Sequence, residues 1–110
     1  MSYKVRKESG FAIVELTGDI DLSCSPEARK VILESLAAKQ PTLVDMSAVT
    51  YIDSCGVASL VEGYQTAKKK TLEFGLLGVS EAALSVLELA RLDKVFPIYP
   101  SLQERLARNG

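Results

Sequence analysis

The sequence predicts an α/β fold, in which one mixed β-sheet of about five strands is packed against four helices. Apolar runs of strand length alternate along the chain with amphipathic runs of helical length. The first two strand-like runs are separated only by Ser9-Gly10, a hairpin turn signal. We therefore expect an N-terminal antiparallel hairpin followed by β-α units, in the order β-β-α-β-α-β-α-β-α.

In the first third of the chain, the hairpin strands are predicted at residues 3–8 and 11–17. Phe11 opens the second run, which is rich in β-branched and aromatic residues, and Gly18 is predicted to end it. The polar run that follows is predicted to be a loop. A helix is expected from Ser25-Pro26, because serine can cap a helix and proline suits its first position.

The rest of the chain contains three more predicted strands and three more helices. Ser47 to Asp53 is predicted to be a loop between a short buried strand and the second helix. The ranges are 42–46 (strand), 55–70 (helix), 72–77 (strand), 81–92 (helix, with Ala83, Leu84, Leu87 and Arg91 on one stripe), 95–99 (strand) and 102–108 (helix). Hydrophobic periodicity predicts a core that includes Ile13, Val14, Leu16, Ile32, Leu43, Val44, Val57, Leu60, Val61, Phe74, Leu76 and Leu87.

Composition places the chain among globular domains. It has 110 residues, 47% of them hydrophobic and 25% charged, which suits one domain spanning residues 1–110. The net charge of −1 does not favour binding to nucleic acid or to an anionic membrane. The polar N-terminus does not resemble a secretory signal, and no apolar run reaches the roughly 18 residues of a membrane span. With only two cysteines, we expect a cytoplasmic protein.

The sequence contains no histidine. This excludes a Ser-His-Asp triad, a Cys-His pair and a His-ligated zinc site. Two cysteines cannot complete a thiolate zinc site, although carboxylate or lysine chemistry stays formally open. We therefore predict a protein-binding module that is not an enzyme and that carries neither a cofactor nor a metal.

The segment from Leu43 to Val57 runs from a strand through a loop to an abrupt helix start. Ser54 is predicted to be the N-cap of that helix, with its hydroxyl beside the free backbone N–H groups of residues 55–57. Gly56 leaves those amides uncovered, so the position is suited to an anion. Alternatively, Ser54 does no more than cap the helix, and a Ser-x-Gly helix start alone cannot decide between the two.

Four motifs together carry a more specific signal, and they extend over nearly the whole chain. They are LTGDID at 16–21, VDMSAVTYIDSCGV at 44–57, GVS at 78–80 and LDKVF at 92–96. With them the sequence resembles the STAS family, the domain of bacterial anti-sigma-factor antagonists. The resemblance implies a STAS-like single mixed sheet, made of an N-terminal antiparallel hairpin and β-α units with four helices packed against it.

The resemblance also implies a site. Ser54 matches the serine that is phosphorylated in anti-sigma-factor antagonists, Asp53 the aspartate beside it, and Asp21 the acidic residue of the neighbouring loop. In the family, the unphosphorylated antagonist binds a serine kinase that also holds a sigma factor, so that the sigma factor is released, and phosphorylation blocks this binding. Cys55 departs from the serine, threonine or alanine common there. The implied partner surface is Asp21, Ser23, Asp53, Ser54, Cys55, Gly56, Val57 and Ala58.

Three functions stay open at this point. The first is the phosphorylation-controlled switch in a sigma-factor circuit. The second is a STAS accessory subunit that docks on the ATPase of a phospholipid-trafficking ABC transporter through the same surface. The third, an enzyme with Ser54 or Cys55 as its nucleophile, is the weakest, because no base is evident. Asp21 could line the partner surface or only stabilise its own loop.

Overall fold

Five strands lie side by side in chain order in the computed structural model, which describes residues 3–107. The strands are β1 (Lys4–Glu8), β2 (Phe11–Ile20), β3 (Thr42–Ile52), β4 (Phe74–Leu77) and β5 (Ile98–Tyr99). The helices are α1 (Ser25–Ala37), α2 (Ser54–Lys69), α3 (Glu81–Leu89) and α4 (Leu102–Ala107). Strand β1 is antiparallel to β2, and every later pairing is parallel. The predicted fold class and element order are therefore confirmed.

The two faces of the sheet are covered unequally. Alternate residues point to opposite faces of a strand, so Val44 joins the large core under α1, α2 and α3, while its neighbour Leu43 joins a small cluster on the other face. Helix α4 covers that second face, where Arg105 forms an ion pair with Glu73 and lies 5.1 Å from the centroid of the Phe11 ring. Of the predicted core residues, only Val61 is half-buried rather than buried.

Strands β2 and β3 continue well beyond their predicted ends. Gly18 does not end β2, although its φ of +73° is left-handed, because the strand accommodates it at an irregularity in the pairing with β3. The predicted loop from Ser47 to Asp53 is also wrong, because β3 runs to Ile52 and pairs with the end of β2. These pairings are long-range contacts, which local sequence patterns do not report.

The third helix is shorter than predicted. Helix α3 ends at Leu89, and Arg91 has a left-handed φ of 60°, so Arg91 does not lie on the helical stripe. The predicted strand at 95–99 is wrong over most of its length, because Val95 and Phe96 donate backbone hydrogen bonds to Leu92 and so form a turn. Only the last two residues of that range pair with β4.

Smaller differences occur at other element ends. Ser25 is not the cap of α1 but lies buried in its first turn, and Cys24 occupies the N-cap without a side-chain hydrogen bond. Strand β1 starts at Lys4 and β4 at Phe74, while α4 is described as far as Ala107, so that the predicted end at Arg108 lies outside the described residues. Over residues 3–107, no helix is both long and apolar enough to cross a membrane.

Candidate functional site

The ends of β2 and β3 bring two segments of the chain to one end of the sheet. Ile20 and Ile52 are paired in register, and the backbone N–H of Asp53 donates to the carbonyl of Ile20 at 3.3 Å. The loop after β2 and the first turn of α2 therefore start side by side. In parallel sheets, binding sites form at this carboxyl end of the strands.

Asp53, and not Ser54, is the N-cap of α2. Its Oδ1 accepts hydrogen bonds from the backbone N–H groups of Cys55 at 2.9 Å and Gly56 at 3.2 Å, and its carbonyl accepts from Val57 at 3.0 Å. The prediction that Ser54 caps the helix beside three free amides is thus wrong. The physical reason is that the aspartate, one residue earlier, already supplies a negative oxygen to these donors.

Ser54 is consequently the first residue inside α2, and its side chain is exposed. Among residues 3–107, its hydroxyl has no hydrogen-bond partner. The helix start does not depend on this hydroxyl, because Asp53 supplies the cap. The Ser54 hydroxyl can therefore bond to another molecule without loss of an internal hydrogen bond.

Gly56 lets α2 approach the sheet closely. A Cβ at this position would lie 2.6 Å from Cγ1 of Ile52 and 2.7 Å from the carbonyl oxygen of Ile20. Gly56 and Val57 are accordingly buried, and the adjoining Ala58 is exposed. The two buried residues support the outer surface from beneath.

Asp21 organises the neighbouring loop. Its Oδ1 accepts three hydrogen bonds, from the Ser23 hydroxyl at 2.7 Å, the Ser23 backbone N–H at 3.0 Å and the Cys24 backbone N–H at 3.2 Å. The bond from the Ser23 hydroxyl is the main cause that lowers the pKa of the Asp21 carboxyl below its ordinary value. The loop is therefore held as a tight Asx-type turn.

A groove runs between the first turns of α1 and α2. The Ser59 hydroxyl lies 3.3 Å from the Ser25 carbonyl and 3.1 Å from the Cys55 carbonyl, and it joins the two helices at this level. One turn further along, Arg29 makes a bidentate ion pair with Glu62, with both distances 2.7 Å. These contacts join the two helices beside Ser54.

On the other side of α1 lies a wider cavity of 540 Å³ with an acidic lining. Tyr3 lies in the wall of this cavity. Burial is the main cause that raises the pKa of Tyr3 to about 12, and the electrostatic effect of Cys24 is the second cause. In the described part of the chain, no group of acidic, cysteine or histidine side chains is arranged to hold a metal ion. The cavity is lined by Tyr3, Thr17, Gly18, Asp19, Asp21, Ser23, Cys24 and Glu27.

A comparison with protein families matches the STAS domain to residues 2–105. The chain belongs to the STAS family. Over 105 residues it is 29% identical to the anti-sigma-F factor antagonist RsfB of Mycobacterium tuberculosis, a match that covers 93% of this chain and 84% of that protein. The recognition made from the four motifs is confirmed.

Solved structures agree with this assignment. The crystal structure of an anti-sigma factor antagonist from Mycobacterium paratuberculosis is 30% identical, with a TM-score of 0.86 and coverage of 97% of this chain and 92% of that one. An anti-sigma-factor antagonist (STAS) domain protein from Planctomyces limnophilus has a TM-score of 0.87 at 23% identity, covering 98% and 97% of the two chains, and supports the fold alone. The relatives are bacterial, as predicted.

The predicted site residues of this STAS domain fall into two adjoining segments, the loop at 21–24 and the first turn of α2. Asp45 does not join them. It lies on the sheet face opposite α2, and its Oδ1 accepts hydrogen bonds from the Ser47 hydroxyl at 2.7 Å and the Ser47 backbone N–H at 3.0 Å. This is the local hydrogen-bonding role that aspartate often has in turns.

Sequence reasoning missed two exposed apolar side chains at this end of the domain. Leu22, in the Asp21 turn, is 71% exposed, and Tyr51, near the end of β3, is 50% exposed. It also missed the contribution of Tyr3 and Glu27 to the acidic cavity. The available signal was an apolar residue inside an otherwise polar loop, as Leu22 is between Asp21 and Ser23.

Proposed function

We propose that this chain is an anti-sigma-factor antagonist controlled by phosphorylation of Ser54. Unphosphorylated, it binds a serine kinase that also holds a sigma factor, and the sigma factor is released. The observation that carries the proposal is the exposed Ser54 hydroxyl, which has no hydrogen-bond partner in the described chain. The names of the relatives with 29% and 30% identity support the same role.

Ser54 can carry a phosphate without loss of the fold. The hydroxyl makes no hydrogen bond within the described chain, and a phosphoserine of about −1.5 to −2 charges is favoured near a helix N-terminus. The nearest backbone N–H groups already donate hydrogen bonds to Asp53, so they are not available to bind the phosphate. It projects outward from the first turn, next to the Asp53 carboxylate.

The added charge acts on the partner. The proposed docking surface consists of the Asp21 turn and the first turn of α2, and it already contains two carboxylates. A partner that covers it must desolvate or pair the new dianion, which weakens binding. Its residues are Asp21, Ser23, Asp53, Ser54, Cys55 and Ala58, with Gly56 and Val57 beneath them.

The same geometry argues against catalysis by this chain. A serine nucleophile needs a base that is hydrogen-bonded to it and takes its proton, and the Ser54 hydroxyl has no such hydrogen bond in the described chain, since the neighbouring Asp53 carboxylate is bonded to the helix amides. From the composition and net charge, we further propose a single cytoplasmic binding domain over residues 1–110. We propose that it has no cofactor, no metal and no nucleic-acid partner. Purified protein should show no turnover that depends on Ser54 or Cys55.

The test uses the kinase captured from the native host and identified by mass spectrometry. Incubation with this kinase and ATP should place phosphate on Ser54. Ser54→Asp should bind the kinase more weakly than wild type. Ser54→Ala should bind the kinase, and incubation with ATP should not weaken this binding. Ser85→Asp, the same change at an exposed serine of α3, is the matched control and should bind normally.

Two outcomes contradict the switch. One is phosphate found only at other residues, and the other is equal kinase affinity for wild type and Ser54→Asp. Capture of an ABC transporter ATPase in place of a kinase would instead support the accessory-subunit alternative.

A further inference from the structure

Leu22 is the most exposed large apolar side chain at the Ser54 end of the domain, with 71% of its surface accessible. We propose that Leu22 is the apolar anchor that enters a socket on the kinase, and that the rim of this socket is basic. The inference rests on the proposed function and adds to it the residue and the partner chemistry that determine docking.

The turn that carries Leu22 is rigid. Asp21 before it accepts three hydrogen bonds from Ser23 and Cys24 after it. The Ser25 backbone N–H closes the turn onto the Asp21 carbonyl at 2.8 Å. Because the backbone is already fixed, a partner that buries Leu22 orders only its side chain, and preorganisation of this kind favours affinity.

Leu22 is placed to act together with Ser54. Ile20 and Ile52 pair in register, so Leu22 and Ser54 each lie two residues beyond the same rung of the sheet. The half-exposed Tyr51 immediately precedes that rung on β3. A partner that covers Ser54 therefore meets Leu22 as well, and a phosphate on Ser54 is introduced at the edge of an apolar contact.

The negative charge near Leu22 indicates that basic residues surround the socket on the kinase. Asp19, Asp21 and Glu27 line the 540 Å³ cavity beside the turn, and no Lys or Arg is among its described lining residues. A complementary surface must therefore combine an apolar socket with positive charge at its edge. Exposed apolar residues are common on proteins, but here one stands in a rigid turn, beside the candidate phosphosite and an acidic cavity.

Leu89 provides a matched control. It is 87% exposed, more than Leu22. Helix α3 returns the chain from the end of β4 to the start of β5, and these two strands are parallel. Leu89, at the end of α3, therefore lies at the opposite end of the sheet from Ser54.

The experiment measures kinase affinity by calorimetry for wild type, Leu22→Ala, Leu22→Met and Leu89→Ala. Leu22→Ala should bind about tenfold or more weakly, as hot-spot residues do, with an unchanged melting temperature. Leu22→Met keeps the apolar volume and should bind within about threefold of wild type. Leu89→Ala should bind like wild type.

A salt series tests the rim. Wild-type affinity should fall as the salt concentration rises, and Glu27→Gln should reduce this dependence, since it removes one charge facing the rim. Leu22→Ala should keep the wild-type dependence, since it removes apolar area only. An affinity independent of salt would overturn the basic rim.

The experiment distinguishes failure of the Leu22 anchor from failure of the proposed function. If wild type binds the kinase and folded Leu22→Ala binds equally well, the anchor is wrong and the proposed function stands. If wild type does not bind the kinase under any salt condition, the proposed function fails and the anchor fails with it.

Discussion

The Asp53 carboxylate accepts a hydrogen bond of 2.9 Å from the backbone N–H of Cys55, and Ser54 lies between the two residues in the sequence. A second bond from Gly56 completes the cap of α2. The candidate phosphosite is thus separated from the group that stabilises its helix. The two roles, which the sequence pattern assigns to one serine, belong to neighbouring residues and can be tested one at a time.

Asp53→Ala should lower the free energy of unfolding by about 1 kcal/mol, the usual cost of removing a helix N-cap. Asp53→Ser should recover most of this loss, because serine can accept the same backbone donors. Urea denaturation followed by circular dichroism measures both. An Asp53→Ala protein as stable as wild type would show that the cap contributes nothing.

Gly56→Ala should lower the free energy of unfolding by about 1 to 3 kcal/mol, the typical cost of overpacking. The added methyl would lie 2.7 Å from the Ile20 carbonyl oxygen, a backbone atom that cannot turn away as a side chain can. Ser54→Ala, two residues earlier, is the control and should change stability by less than about 0.5 kcal/mol. Equal denaturation midpoints for the two variants would contradict the close approach.

Leu60→Ala should lower the free energy of unfolding by about 2 to 5 kcal/mol, the range for a buried leucine. Leu60 is 1% exposed, on the face of α2 that packs against the sheet. Leu89→Ala removes the same atoms from an exposed position and should cost less than about 0.5 kcal/mol. A loss below about 1 kcal/mol for Leu60→Ala would mean that this face of α2 is wrongly assigned.

The Asp21 turn should weaken in acid. Its folded-state pKa is lowered, so its contribution to stability is present above the ordinary value of 3.8 and is lost as the pH falls through the lower folded-state pKa. Ser23→Ala removes the main cause of the shift and should raise the pKa of Asp21 in a carboxyl NMR titration. Ser85→Ala is the control and should leave the pKa of Asp21 unchanged. An unchanged pKa of Asp21 in Ser23→Ala would show that the Ser23 hydroxyl does not form this hydrogen bond in solution.

Most of the fold could be predicted, because its signals are local. Leu60 lies in an amphipathic stripe, and Gly10 follows a turn serine, so periodicity and turn chemistry suffice for α2 and the hairpin. The continuation of β3 to Ile52 was missed although Val49, Thr50, Tyr51 and Ile52 are residue types that favour strands. Asp45 and Ser47 before them favour a turn, and only the pairing with β2 shows that the strand continues past this turn signal.

The sequence supplied candidate residues for the site but not their geometry. Motif resemblance located Ser54 and Asp21, and the structure brings their segments to one end of the sheet. The assignment of the cap was wrong because serine and aspartate compete for it, and only the backbone conformation decides which is the last residue outside the helix. An apolar residue in a polar loop was the available signal for Leu22, but how far this side chain is exposed depends on the fold of the neighbouring turn.

The parallel pairing of β2 with β3 has a consequence for how the chain folds. Ala12 pairs with Thr42, 30 positions later, whereas Glu8 pairs with Phe11 across a two-residue turn. Closing the longer segment costs more conformational entropy before any contact compensates for it. The hairpin should therefore form early and the parallel pair late, so that the surface around Ser54, which exists only when β2 and β3 end together, is among the last parts of the molecule to be completed.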